Sequence, residues 1–256
     1  KQLFSAFVQD RISFLDDKLA LTLGTKIEHN DFTGIEIQPS IRLAWTPNER
    51  HTLWAAVSRA VRTPSVTDEA TNVVALGLPG AILTFAGSED LDSEDLLAFE
   101  LGYRIAVTEK LAVDVALFYN IYDNLRTTEI DFPHVDAYPR PPHFAIPAVG
   151  RNNMEATLYG GEVTVDWHAM SWWRIQMSYA YLEMDVDVNP DSISIASAAT
   201  EGDSPQQQVY LGSHMNIGEQ VELDVTMRYV DELPALGIDD YFTVDARISW
   251  HPKDDL

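Results

Sequence analysis

The stretch IEIQPSIRLAWTPNERHTLWAAVSRAVRTPS, residues 35–65, decides the fold. Its first half alternates: Ile35, Ile37, Ile41, Leu43 and Trp45 fall on one face, and Glu36, Gln38, Ser40 and Arg42 on the other. A period of two with unlike sides marks a β-strand lying between two different surroundings. Thr46-Pro47-Asn48-Glu49-Arg50 supplies a tight turn, and His51 to Ala60 returns as a second strand. After Arg62-Thr63-Pro64-Ser65 the regular alternation stops until Leu97.

The same pattern extends in both directions. Upstream, Ser5 to Phe14 and Lys18 to His29 are strands joined by Leu15-Asp16-Asp17, and Asn30 to Gly34 is a glycine-bearing hairpin loop. Downstream, Leu97 to Val107 and Leu111 to Tyr122 flank a minimal turn. Thr157 to Trp167 pairs with Trp172 to Met184, Gln206 to Ile217 pairs with Val221 to Val230, and Tyr241 to Trp250 is the last complete strand. Between the hairpins run long connections: Thr67 to Asp95, the proline-rich Asp123 to Glu155, Asp185 to Ser204 and Asp231 to Asp240. Short turns and long loops alternate, which places the long loops at one end of the sheet. Aromatic residues collect near strand ends, among them Trp45, Trp54, Tyr122, Trp167, Trp172, Tyr229 and Trp250. Both features match an up-and-down antiparallel transmembrane β-barrel, with its short turns, long external loops and aromatic girdles. The alternative is a soluble β-rich ligand- or carbohydrate-binding protein, in which the same alternation buries the apolar face. Counting gives about eleven strands, an odd number, whereas single-chain bacterial barrels close with even counts. The expectation is therefore an all-β, incomplete barrel segment, with residues 1–256 forming one partial β-barrel domain.

Composition limits the function. The 256 residues carry 17 Lys+Arg against 40 Asp+Glu, a formal net charge of −23. Such a balance argues against a nucleic-acid partner, which needs clustered cations. With no cysteine there is no disulfide, thiolate ligand or thiol nucleophile. No apolar run reaches the roughly 18 residues of a membrane helix.

Several segments carry a resemblance in a shared order: Phe4-Ser5-Ala6-Phe7-Val8-Gln9-Asp10, Leu53 to Ser65, Phe99-Glu100-Leu101-Gly102-Tyr103-Arg104, Phe118 to Leu125 and Tyr159-Gly160-Gly161-Glu162. Together they resemble TonB-dependent outer-membrane receptors across nearly the whole chain. The resemblance implies a barrel of about 22 strands with a plugged lumen, of which this chain is similar to the C-terminal part, without the plug, the TonB box or the final strands. It further implies a Gram-negative outer-membrane location and uptake of a scarce ligand. A ferric siderophore or related metal complex is the usual substrate, the TonB protein supplies energy, and outer-membrane lipid surrounds the barrel. No cofactor is implied.

Candidate site residues follow from that picture. Ligands of such receptors meet loop residues, which points to His134, Tyr138, Arg140, His143 and Arg151 in the proline-rich connection. Arg59 and Arg62 at a strand end read as plug or lumen contacts, or as ion pairs with barrel carboxylates such as Glu100. Asp185-Val186-Asp187-Val188-Asn189-Pro190-Asp191 opens like an EF-hand loop, but Pro190 replaces the required glycine and Ala196 the bidentate glutamate. It reads instead as a strand end entering an acidic loop. His134 and His143 lack a third ligand at zinc spacing. No G-x-S-x-G, H-E-x-x-H or phosphate loop is present, so neither a catalytic nor a metal residue is assigned.

Overall fold

The computed structural model describes residues 2–137, 142–194 and 201–252. In chain order the elements are β1 (Leu3–Phe14), β2 (Leu19–Asn30), β3 (Gly34–Asn48), β4 (His51–Arg62), α1 (Val66–Ala70), β5 (Asn72–Leu78), β6 (Ala81–Ala86) and β7 (Glu94–Thr108). They continue with β8 (Leu111–Ile130), β9 (His134–Asp136), β10 (His143–Met170), β11 (Trp173–Val188), β12 (Gln207–Ile217), β13 (Val221–Val230) and β14 (Tyr241–Trp250). The fourteen strands belong to one sheet whose main path is β1-β2-β3-β4-β7-β8-β10-β11-β12-β13-β14. That path has the eleven strands read from the sequence, every neighbouring pair is antiparallel, and the sheet is not closed.

Register assigns every residue to a face, because opposed residues in a ladder point the same way. Leu21, Leu43, Ala55, Leu101, Leu117, Gly161 and Tyr181 form one continuous row. From β2 to β14 this face carries no charged side chain between its two aromatic levels; Asp10, on edge strand β1, is the exception. Trp45, Trp167 and Trp250 lie near the short turns, and Tyr119, Tyr159, Tyr179, Tyr229 and Phe242 near the long-loop end. Tyr159 and Trp167 are eight residues apart, as are Phe242 and Trp250. That is about 26 Å along a strand, and about 20 Å along the normal at the usual tilt, within a hydrocarbon band about 25 Å tall.

Burial is inverted relative to a soluble fold. Ile37 is 52% exposed while its neighbour Glu36 is 8% exposed. The most buried side chains are small or polar, such as Ala20, Ala148, Glu28, Asn30 and Thr127. The apolar face therefore has no protein to cover it, and lipid is the solvent that suits it. The opposite face is laced with ion pairs between ladder neighbours. Arg104 bonds Asp114 (Nε–Oδ2 2.6 Å), and Asp224 receives both Arg247 (2.6 Å) and His214 (2.8 Å). Each pair satisfies its charge inside the wall, as a polar lumen requires.

The sequence reading of the long connections is corrected in two places. Thr67 to Asp95 is not an irregular loop but contains α1 and the β5–β6 hairpin. The proline-rich connection is likewise shorter than read, because β8 runs on to Ile130 and β10 begins at His143. Beyond the membrane both faces of a strand meet water, so the two-residue alternation disappears although the strand continues. There β6 pairs in parallel with the outer part of β10, from Phe144↔Ala81 to Val149↔Ala86.

Val115 sits mid-strand on the apolar face. Val115→Arg is expected to lower folding stability in lipid by about 2–4 kcal/mol, whereas Ala116→Ser on the polar face is expected to cost less than about 1 kcal/mol. Urea titration of refolding into vesicles measures both; equal effects would contradict the face assignment.

Candidate functional site

The long-loop end gathers a polar network that ties the connections to the strands. Asn30 begins it: its Oδ1 accepts from the backbone N–H groups of Phe32 (2.9 Å) and Thr33 (2.8 Å), an Asx turn that folds the β2–β3 loop. The Thr33 hydroxyl donates to Glu36 (2.8 Å), and Ser93 donates to the same oxygen (2.5 Å), which joins that loop to the segment before β7.

Helix α1 starts with a capping box. Ser65 Oγ accepts from the Asp68 N–H (3.3 Å) and Asp68 Oδ2 accepts from the Ser65 N–H (2.8 Å). Asp68 also ion-pairs with Arg126 of β8. The Arg126 N–H donates to Glu94 (3.1 Å), which faces Arg62 at 3.3 Å. Asn152 clamps the next layer: its Nδ2 donates to the Asn124 carbonyl (2.6 Å), and its Oδ1 accepts from the Asp92 N–H (2.9 Å). Asn124 is left-handed (φ 57°) where the β8–β10 register shifts twice, the mark of a bulge that re-aims side chains. Glu129 closes the network, accepting from Asn153 (2.7 Å), Ser192 (2.8 Å) and Thr127 (2.9 Å).

Two carboxyls in this network titrate below their ordinary range. Burial pushes Asp68 up, but hydrogen bonds from Ser65 and the charges of Arg126 and Arg62 outweigh it. Burial likewise raises Glu129, and donation from Asn153, Ser192 and Thr127 with the charge of Arg151 outweighs that.

The structure distributes the sequence-derived candidates unevenly. Arg151 lies at the rim, 40% exposed in its side chain, 3.7 Å from Asp90 and 3.8 Å from Asp131. His134 and His143 share one side of the β9–β10 ladder, His134 opposite Ala145 and His143 opposite Asp136. Tyr138 and Arg140 lie outside the described residues. Arg62 stands opposite Glu94 in the ladder. Arg59 ion-pairs with Asp95 and approaches Glu36 at 3.6 Å, not Glu100. It also donates to the Ile37 carbonyl (2.6 Å), beyond the last β3–β4 pair, Ser40↔Ser58. Among the described residues no three His, Asp or Glu side chains form a metal-holding group. Residues 185–187 belong to β11, so the EF-hand-like run is a strand end. Sequence reading missed Asp68, Arg126, Glu129, Asn152 and Asn153; the Ser65-x-x-Asp68 spacing was the one available signal.

The family model described as TonB dependent receptor-like, beta-barrel, matches residues 1–256. The chain belongs to the TonB-dependent receptors. No curated protein matches it. Among solved structures, this receptor segment is similar to the siderophore receptor PirA from Acinetobacter baumannii, at 14% identity and a TM-score of 0.75, over 98% of this chain and 40% of that one. A ferric enterobactin receptor (PfeA) variant from Pseudomonas aeruginosa, in complex with enterobactin, gives 19% identity and a TM-score of 0.73, over 98% and 38%. The FrpB iron transporter from Neisseria meningitidis gives 14% identity and a TM-score of 0.68, over 97% and 38%. The chain thus spans about two fifths of the length of these TonB-dependent receptors.

Glu129→Ala removes the acceptor for three donors and is expected to release residues 189–194, raising their amide exchange about thirtyfold for a loss near 2 kcal/mol. Unchanged exchange would show that Glu129 does not hold the loop. Because Asp68 and Glu129 are depressed, their stabilisation is present at neutral pH and is lost as pH falls through the lowered folded values. Exchange protection of residues 65–71 and 189–194 should therefore hold at pH 7 and fall away below about pH 4. Constant protection to pH 3 would contradict it.

Proposed function

We propose that this chain is part of an outer-membrane receptor of a Gram-negative cell that takes up a scarce ligand, a ferric siderophore or related metal complex, with energy supplied through TonB. The observation that carries the reading is the inverted sheet: an apolar face with no protein cover, a charged face opposite, and connections latched together at one end only. Family membership and the likeness to siderophore receptors support the same reading. Residues 1–256 act as one partial β-barrel domain in this account, and the role is binding and transport rather than catalysis, with no cofactor of the barrel's own.

His134, His143 and Arg151 present themselves to ligand from the long-loop end; Tyr138 and Arg140 are kept as ligand contacts on their place in the sequence alone. Arg151 is the best placed of them, since it is exposed and sits on the latched network. Its two acidic neighbours temper its charge, so a complex that offers a localised anionic oxygen beside an apolar body suits it better than a highly charged one. Arg62, 67% exposed in its side chain, is the better placed of the strand-end pair for a plug or lumen contact; Arg59 is held by Asp95. A soluble ligand-binding protein would need its apolar face buried, and here that face is open.

Deleting the gene is expected to abolish growth on one ferric siderophore under iron chelation, with growth restored by the gene in trans. Arg151→Ala should weaken binding of that siderophore about tenfold, near 1.4 kcal/mol. Normal growth of the deletion strain on every siderophore the cell uses would sink the transport reading.

A further inference from the structure

Gly212 of β12 is the centre of a polar recess on the charged face. Tyr210 and His214 stand on either side of it along the strand, and Gln176 of β11 and Thr226 of β13 stand opposite it in the two ladders. All four neighbours are polar, and the glycine, with no side chain of its own, leaves the middle open. A Cβ at Gly212 would lie 2.7 Å from the Tyr210 hydroxyl and 3.2 Å from His214 Nε2, so these two atoms converge on one point.

His214 is held in one ring orientation. Its Nδ1 lies 2.8 Å from Asp224 Oδ1. A carboxylate only accepts, so Nδ1 carries the proton of that bond, and in the neutral ring Nε2 is left with the lone pair. Asp224 is itself anchored by Arg247, at 2.6 and 2.8 Å. Nε2 is buried and has no hydrogen-bond partner among the described residues. Leaving a buried acceptor unused is costly. An imidazole whose other nitrogen is fixed by a carboxylate is the arrangement that metal-binding histidines use. Arg228 lies over the Tyr210 ring, 5.7 Å from its centroid, but Asp245 matches its charge as Asp224 matches that of Arg247. Neither guanidinium is left over to oppose a cation above Gly212.

We infer that Tyr210 and His214 form a coordination site for a first-row transition-metal ion, with ferric iron the best fit. The Tyr210 oxygen and His214 Nε2 are the protein ligands, and water fills the remaining positions. The inference rests on the reading of the chain as an iron-uptake barrel, in which this face encloses the lumen. His214 is three residues from the end of β12 at Ile217, so the site stands towards the short turns, away from the end where ligand arrives. A hard phenolate oxygen beside an imidazole nitrogen suits a small, highly charged ion. On binding, an iron–oxygen bond replaces the Tyr210 O–H bond and the proton passes to water; no electron is transferred. An opening of about 330 Å³, lined in part by Thr164, Ser178, Tyr210 and Arg228, gives access from the long-loop side.

Visible absorption tests it, because tyrosinate bound to ferric iron gives a charge-transfer band that iron on carboxylates or water lacks. The complete gene product, purified from outer membranes in detergent, is titrated with ferric nitrilotriacetate. The expected result is a saturable band that is lost in Tyr210→Phe and in Gly212→Ala, whose methyl group takes the point of convergence. Asp224→Asn should keep the band and weaken iron binding about 10–100-fold, as loss of an orienting partner does. Unchanged affinity in Asp224→Asn would contradict His214 as a ligand. No band in the unsubstituted protein, or a band that survives in Tyr210→Phe as an adventitious ion on another tyrosine, would overturn the inference. If Tyr210→Phe does not insert, Gly212→Ala carries the same test. A heat-dependent gel shift and siderophore-dependent growth without the band defeat only this inference; loss of either in the unsubstituted protein defeats the reading beneath it.

Discussion

Everything in this structure depends on one constraint: a backbone inside lipid must satisfy its own hydrogen bonds. A long antiparallel sheet does so strand to strand, and it separates two environments with a single layer of chain. Side chains then sort by parity. Ile37 and Glu36 are covalent neighbours with opposite surroundings, and the same split recurs along the whole path. The sheet needs no large apolar core, which is why its most buried groups include alanines, an asparagine, a threonine and carboxylates.

Charge on the inward face is handled locally. Ladder neighbours such as Arg104 and Asp114, or His214, Asp224 and Arg247 across three strands, neutralise one another where they stand. At the long-loop end the principle changes from ladders to hubs. Glu36, Asp68, Asn152 and Glu129 each gather partners distant in sequence, and between them they fasten the β2–β3 loop, α1, the segment before β7 and residues 189–194. A receptor rim needs loops that hold a shape without a hydrophobic core beneath them, and hydrogen-bonded carboxylates can supply that in water.

The barrel strands were legible because alternation between unlike solvents is written one residue at a time, as in Ile35 to Trp45. Strand ends near the turns came out within three residues, and Gly34 (φ 82°) and Gly218 (φ 70°) mark reversals there. The outer reaches of β8 and β10, and the β5–β6 hairpin, were not legible: in water on both sides, Thr127 or Ala148 carries no periodic signal. The site was half legible. Arg151 stood out as a loop cation, but Glu129 and Asn152 also draw on partners 24 to 63 residues away, a distance no local pattern encodes. Arg59 was seen as a paired residue, yet its partner Asp95 stands in the neighbouring strand β7, 36 residues away in sequence.

Adjacent cysteines test the two-solvent sheet most directly, because the chain has no cysteine of its own. Val163→Cys and Thr164→Cys lie on opposite faces of β10. In vesicles, a lipid-dissolved maleimide should label the first and spare the second, and a small aqueous alkylating agent should do the reverse. Labelling of both positions by the aqueous reagent alone would contradict a membrane-spanning sheet.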